Sequence, residues 1–580
     1  MKVLTLDRSF LILFEMKLVL FFAILALYIS TLCPTVGFID SGELTTVSYT
    51  LGIAHPTGYP LYTIMGRMFT LIPFGNVALR VNLLSAILSA LTIVILYSLI
   101  SLCLGSSSLF PLLGSLLFAF SYVFWRNSTV TEVYPLTTFF TALLLLIFVK
   151  WQRKKETHIL YLLFFLIGLA FCNHLIIFTA SVPVAVFVLK EKRPLFDKHL
   201  FNLCVLFILG LSLYLYLPIR ATREPLLNWG NPTVFERFIW HITGKQYRVW
   251  MFSQSVPILG KRLYNYVRLL FEQYPPYILW VAPLGIIESV RKLKLIGWVM
   301  LSTFLLNIFY SINYDIPDID SYFLISFLIV SIWLGFGFNR LFTSIFRLKK
   351  FAYILLGLCL IPAIKNYPRV NQRKNYIAYN YGMNVLKSVK HNGIVLTNLW
   401  DIYSPILYIR YVENKRRDVV MIDKELLRRS WYFKYLNREY PWLIEDSKLE
   451  VKDYLKLLDD FEHNRLKDPN EIQRNFIRMI DSFIYKNISE RPVYTTFVNG
   501  YDRDIREIAP SLFRIPHGLI FQFDSTESYT PFSYDSFDLS GIFDESVYKD
   551  KRTKILISNY PKMMRLRELW LQKIGKYEIH

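Results

Sequence analysis

The sequence predicts an α-helical polytopic membrane protein with about eleven transmembrane helices and a C-terminal soluble α/β domain. Three observations carry this prediction. The chain is 54% hydrophobic and only 19% charged over 580 residues, with a mean hydropathy of +0.35, which is too apolar for one soluble domain. Apolar runs close to the length that crosses a bilayer recur through residues 1–364. Beyond them, residues 365–580 become polar and alternate strand-like with helix-like patterns.

The first run, 17–35, follows Lys2, Arg8 and Lys17 but has no small-residue cleavage site, so it reads as a retained anchor. Further runs lie near 79–104, 109–125, 134–150, 158–173, 174–190 and 200–220, then 276–290, 295–311, 322–338 and 351–364. Every second connection is basic: Lys150–Lys155, Lys190–Lys198, Arg291–Lys294 and Arg340–Lys350. Positive connections stay cytoplasmic. The alternate connections, 36–78, 126–133, 221–275 and 312–321, are rich in Tyr, Trp, Pro, Asp and Asn and are expected on the outer side. An odd number of spans then places the tail outside as well. In that tail, Gly393–Thr397 and Asp418–Ile422 read as strands flanking a helix near 403–413. The expected domains are a spanning bundle, 1–364, and an extracytoplasmic α/β domain, 365–580.

The net charge of +21 is spent on orienting the helices, so nucleic acid is not an expected partner; the bilayer is. Cys33, Cys103, Cys172, Cys204 and Cys359 sit in or beside apolar runs without metal-ligand spacing and read as small hydrophobes. Gly-x-Ser-x-Gly, P-loop and His-Glu-x-x-His patterns are absent, which removes the usual hydrolase, nucleotidase and zinc-protease signatures.

The outer connections carry the candidate chemistry. Asp40 and Glu43 lie three residues apart in "FIDSGELTTVSYTLGIAHPTGYPLY", so one helix turn would project both from one face. The plain alternative is that Asp40 caps a juxtamembrane helix. His55-Pro56 and Gly58-Tyr59-Pro60 then impose extended or turn geometry. Glu132 and Tyr134 occupy a second outer connection, Asn173 and His174 an outer turn, and Arg220 and Arg223 the exit of the seventh run ahead of Trp229. For His174 the plain alternative is a structural histidine, and for Arg220 a side chain that snorkels to the interface. Carboxylates, imidazoles, guanidiniums and aromatics on one face suit a reaction between a lipid-borne anion and an extracytoplasmic acceptor. Arginine binds phosphate bidentately, a carboxylate serves as base for a hydroxyl, and Trp or Tyr faces receive a sugar ring.

Asp315, Asp318 and Asp320 form an acidic loop whose spacing suits a divalent cation, although a solvated loop is the stronger expectation and no metal or other cofactor is firmly implied. Asn127-Ser128-Thr129 and Asn487-Ile488-Ser489 fit the glycosylation pattern.

The stretch "DSGELTTVSYTLGIAHPTGYPLYTIMGRM", followed by "RVNLL", "TEVYPL", "NHL" and "YLPIRA…NWGNPT…ITGKQY", resembles a polytopic family of GT-C-architecture membrane glycosyltransferases that includes transmembrane protein 260. Where family members have His-Pro-Pro-Gly-Tyr-Pro, this chain has Thr57 at the third position. The resemblance implies transfer of a sugar, mannose first, from a polyprenyl-phosphate carrier to an extracytoplasmic protein or glycan acceptor, with a Ser or Thr hydroxyl foremost. It implies Asp40 as the catalytic carboxylate, with Glu43 beside it. His55, Tyr59, His174, Arg220 and Arg223 are the expected donor or phosphate ligands; Glu132, Tyr134, Trp229 and Asp318 are the expected acceptor or sugar contacts. The expected location is a bacterial inner membrane with the active site outside the cytoplasm. A transporter or flippase of lipid-linked sugars is the competing reading, and it calls for polar groups at mid-membrane and repeated halves with broken helices.

Overall fold

The computed structural model describes residues 8–105, 109–191, 198–345, 352–496 and 504–576. The basic connections at 190–198 and 340–350 lie partly outside them. The chain divides into two compact units. One comprises Met1–Cys33, His55–Thr222 and Thr233–Arg373; the other comprises Pro34–Ala54, Arg223–Pro232 and Lys374–His580. Two segments expected in the spanning domain, 34–54 and 223–232, therefore cluster with the C-terminal residues.

The first unit is helical. Among the described residues, five helices are long and apolar enough to cross a membrane: Val77–Leu104, Tyr134–Lys154, His199–Ala221, Leu295–Ile312 and Ile319–Thr343. Phe110–Ala119, Thr157–Phe171 and Leu175–Lys190 are apolar but shorter. The expected count of eleven is not confirmed among the described residues. At the expected 276–290 span, the short Pro276–Leu279 helix ends before a separate Ala282–Leu293 helix, and buried Glu288 pairs with Arg340 at 2.8 Å and Lys292 at 2.5 Å.

The Leu324–Arg340 helix is the core of this unit, its side chains buried along almost its whole length. It packs against Phe110–Ala119, Ala282–Leu293 and Leu295–Ile312. Small residues permit these approaches: a Cβ on Gly285 would stand 1.8 Å from the Trp333 carbonyl oxygen. In lipid, where the tails are as apolar as the side chains, such close backbone contact replaces hydrophobic exclusion as the packing force.

The second unit is built on a five-stranded sheet of order β2-β1-β3-β5-β4, with β1 Ile394–Thr397, β2 Val420–Asp423, β3 Val493–Thr496, β4 Phe513–His517 and β5 Ile520–Asp524. β1 runs parallel to β2 and β3, while β5 is antiparallel to β3 and β4. The three parallel strands are buried throughout, as strands with both faces covered must be. The Trp400–Tyr411 helix connects β1 to β2. These elements match the strand, helix and strand expected there.

The connection expected on the outer side at 36–78 is largely helical. Ser41–Thr50 is a helix that packs on Trp400–Tyr411, and Pro60–Thr70 is a second helix with Pro60 in its first turn, where a missing N–H costs nothing. The segment 223–232 joins the Ser41–Thr50 side by a parallel bridge between Ile53 and Asn228, with the Ile53 N–H donating to the Leu227 carbonyl at 2.7 Å.

Candidate active site

Asp40 stands immediately before the Ser41–Thr50 helix and makes no side-chain capping bond to it. The capping alternative fails. The Trp400 indole N–H donates instead to Asp40 Oδ1 at 2.8 Å. Asp40 is half-buried, and the indole fixes its carboxylate. Its position is set from both sides. Ile39 adopts a left-handed backbone, φ 58°, that a β-branched residue holds only when its surroundings impose it; its N–H donates to Asp401 Oδ1 at 3.3 Å, and that same oxygen accepts from Arg552 at 3.0 Å. On the other side, Gly42 lies against the backbone of Ser404, where a Cβ would stand 2.2 Å from the carbonyl oxygen. The Glu43 N–H donates to Ser404 Oγ at 3.0 Å.

Glu43 is 1% exposed and lines a narrow pocket with Trp229, Tyr403, Trp431 and Tyr435. The three-residue spacing thus does not present two equivalent carboxylates: Asp40 is the accessible one and Glu43 is packed among aromatic rings. Trp229 ties the arrangement together. Its ring lies edge-on to Trp400 at 5.6 Å and against Trp431 at 4.9 Å, so an unbroken line of indoles leads away from the Asp40 carboxylate. Arg438 secures the chain ahead of Trp229 by donating to the carbonyls of Glu224, Pro225 and Leu226 at 2.7–2.9 Å. Arg223, the remaining expected residue of this unit, is exposed.

Trp400, Tyr403, Trp431 and Arg438 were not among the expected site residues. A signal for Trp400 exists in "VLTNLWDIYSP": an aromatic and an acid at the turn after a buried parallel strand, the place where α/β units gather functional groups. Trp431 sits in the polar stretch "RRSWYFKYLNRE" and has no comparable signature. Asp423, also unforeseen, ends β2; it is buried, and burial pushes its carboxyl up to about 7. Its Oδ1 accepts from the Leu426 N–H at 2.9 Å, and its own N–H donates to Tyr432 Oη at 3.1 Å.

The helical unit gathers a second set of expected residues. His55 Nε2 and Tyr59 Oη are 2.9 Å apart, and Tyr59 stacks on His174 at 5.7 Å with ring planes 9° apart. His174 also meets Tyr134 and Tyr322, the latter unforeseen. His174 Nδ1 accepts from the Ile176 N–H at 3.1 Å, so this nitrogen has the structural role of the plain alternative. Gly58, φ 89°, provides the turn that aims Tyr59; a Cβ there would crowd Leu217 and His241 at about 3 Å.

The remaining expected residues are placed apart from this ring cluster in role. Glu132 lies beside Tyr62, Arg220 interacts with Tyr216 one helical turn before it, and Asp318 precedes the short 3₁₀ turn Ile319–Phe323. The acidic loop is neutralised by arginines: Asp320 pairs with Arg126 at 2.9 Å and Asp315 with Arg262. Both candidate glycosylation asparagines are buried: the Asn127 amide donates to the Val123 carbonyl at 2.8 Å and to Ser321 Oγ at 3.2 Å, and the Asn487 amide, just past the end of the Pro469–Tyr485 helix, donates to the Phe483 carbonyl at 3.0 Å.

Residues 40–195 match the family model described as the protein O-mannosyl-transferase TMEM260 N-terminal domain. The chain is similar to protein O-mannosyl-transferase TMEM260 of Mus musculus, 27% identical over 73% of this chain and 64% of that protein. It is also similar to protein O-mannosyl-transferase tmem260 of Dictyostelium discoideum, 24% identical over 84% of this chain and 65% of that protein. It thus spans just under two thirds of the length of these curated relatives. Among solved structures, ArnT from Cupriavidus metallidurans aligns in the apo state with a TM-score of 0.49 and 12% identity, covering 88% of this chain and 98% of that one. ArnT bound to undecaprenyl phosphate aligns with a TM-score of 0.44 and 10% identity, covering 89% and 99%.

Proposed function

We propose that this chain is an integral membrane glycosyltransferase that moves a hexose, mannose first, from a polyprenyl-phosphate carrier to a Ser or Thr hydroxyl of an extracytoplasmic protein. The similarity to proteins named protein O-mannosyl-transferases supports the reaction class. The observation that carries the proposal is the half-buried Asp40, whose carboxylate makes no capping bond to its helix and accepts from the Trp400 indole.

In this reading Asp40 accepts the proton of the acceptor hydroxyl as its oxygen attacks the anomeric carbon. The bond from that carbon to the carrier phosphate breaks, and its electron pair leaves with the phosphate. The configuration at the anomeric carbon inverts. The indole N–H fixes the orientation of the carboxylate, which places the base without reorganisation during the reaction. Glu43 shapes the floor, Trp229 offers a flat apolar face to a sugar ring, and Arg223 supplies positive charge for the carrier phosphate. The eleven-span count, the extracytoplasmic orientation and the bacterial inner membrane belong to the same proposal. The direct test is transfer from polyprenyl-phosphate-mannose by purified protein in detergent, using an Asp40→Asn variant as the comparison.

A further inference from the structure

Beyond Trp229, the line of indoles opens into a cleft of about 400 Å³, lined by Glu224, Asn228, Asn231, Trp431, Lys434, Tyr435, Asn437 and Arg438. Among the described residues its lining holds no Ala, Val, Leu or Ile: it consists of two aromatic rings, three carboxamides and three charged groups. A groove for an extended polypeptide ordinarily provides apolar pockets for alternate side chains. A pyranose ring has different needs: one face of C–H bonds that packs on an aromatic ring, and a rim of hydroxyls that both donate and accept. Carboxamides match such hydroxyls because each one offers a donor and an acceptor.

The wall is also held in place. The Asn228 amide donates to Asn231 Oδ1 at 3.1 Å, and Asn231 is buried. Arg438 clamps the 224–226 carbonyls. Trp431 packs on Trp229 and stands edge-on to Tyr432, so its ring is fixed before any ligand arrives. Pre-ordered walls of this kind lower the ordering cost of binding.

We propose that this cleft is a second carbohydrate subsite, which holds a hexopyranosyl group already carried by the acceptor. The role rests on the transferase reading above, whereas sugar binding itself does not. The cleft shares Asn228, Trp431 and Tyr435 with the narrow Glu43 pocket, so a sugar held here lies along the ring line that starts at Asp40. A protein acceptor that already bears hexose would be engaged in preference to a bare one.

The test is saturation-transfer NMR on the full chain in detergent with methyl α-mannoside, methyl α-glucoside and methyl α-galactoside, with a Ser/Thr-rich peptide as the contrasting probe. Asn437→Ala, on the exposed surface of its helix, and Trp431→Ala are the cleft variants; if the tryptophan variant does not fold, the asparagine variant decides. The proposal expects a signal from at least one glycoside, weakened at least threefold in Asn437→Ala, lost in folded Trp431→Ala and retained in Asp40→Asn. Absence of signal from all three glycosides, an undiminished signal in Asn437→Ala, or binding of the peptide alone overturns it. Glycoside binding without transfer from any polyprenyl-linked donor would instead sink the transferase reading and leave the subsite standing.

Discussion

Replacing Gly42 by Ala adds one methyl group where the structure has no room for it. The new Cβ would stand 2.2 Å from the Ser404 carbonyl oxygen, 2.5 Å from its carbon and 2.8 Å from the Pro405 nitrogen. All three are backbone atoms, so no side chain can rotate away. An ordinary carbon–oxygen contact is about 3.3 Å, and the Ser41–Thr50 helix must therefore back away from Trp400–Tyr411 by roughly 1 Å. Overpacking of this kind costs about 1–3 kcal/mol. The same displacement carries Asp40 away from the Trp400 indole, stretching a 2.8 Å hydrogen bond beyond the range in which it remains a good one. Misplacement of a reacting group by 1 Å costs on the order of a hundredfold in rate. Thermal unfolding in detergent, followed by tryptophan fluorescence, together with the transfer rate of the folded fraction, reads both effects. Gly260→Ala is the internal control: it lies within the exposed Val256–Gln273 helix, where a Cβ meets nothing within 4 Å, so it should be neutral or stabilising by up to about 1 kcal/mol. A Gly42→Ala protein that melts and turns over like the wild type would refute this account of the Asp40 environment.

Trp400→Phe keeps an aromatic ring but removes the N–H that Asp40 accepts; a hydrogen bond to a charged group is worth about 1.5–3 kcal/mol, so kcat should fall by roughly 10- to 100-fold with KM little changed, and an unchanged kcat would remove Trp400 from the mechanism. Asp423 has a folded-state value near 7, raised by burial from the usual carboxylate range. Its contribution favours folding at low pH and is lost progressively as pH rises from about 4 to 7, a swing of up to about 4 kcal/mol. Asp423→Asn should accordingly raise the melting temperature more at pH 8 than at pH 4, and an equal effect at both would contradict the buried, protonated state. Arg438→Ala leaves three carbonyls without their charged donor and should speed proteolytic cleavage at 224–226 several-fold, measured by peptide mapping; unchanged cleavage would mean that the clamp is not what orders this segment.

Much of the architecture was legible because its signals are local. The long apolar runs at 79–104 and 134–150 became helices of 28 and 21 residues, and the βαβ pattern after residue 393 appeared as written because buried parallel strands read as continuous apolar runs. The span count was less legible. Period and composition do not reveal where a helix stops, and Phe110–Ala119 and Ala282–Leu293 extend for only 10 and 12 residues. Of the candidate site, the acids stood out as candidates but their partners did not. Asp40 stood out because a carboxylate beside an apolar run is costly, yet Trp400 is 360 residues away in sequence, and no local pattern specifies that pairing. The histidine and tyrosine cluster at His55, Tyr59 and His174 likewise forms through tertiary packing, which also recruits Tyr322.

The most direct measurement is the rate of hexose transfer from polyprenyl-phosphate-mannose by purified, folded Asp40→Asn protein beside the wild type. Loss of a positioned general base predicts a fall of about 10²- to 10⁴-fold with the melting temperature nearly unchanged. Equal rates for the two proteins would contradict the central claim that this carboxylate takes the acceptor's proton.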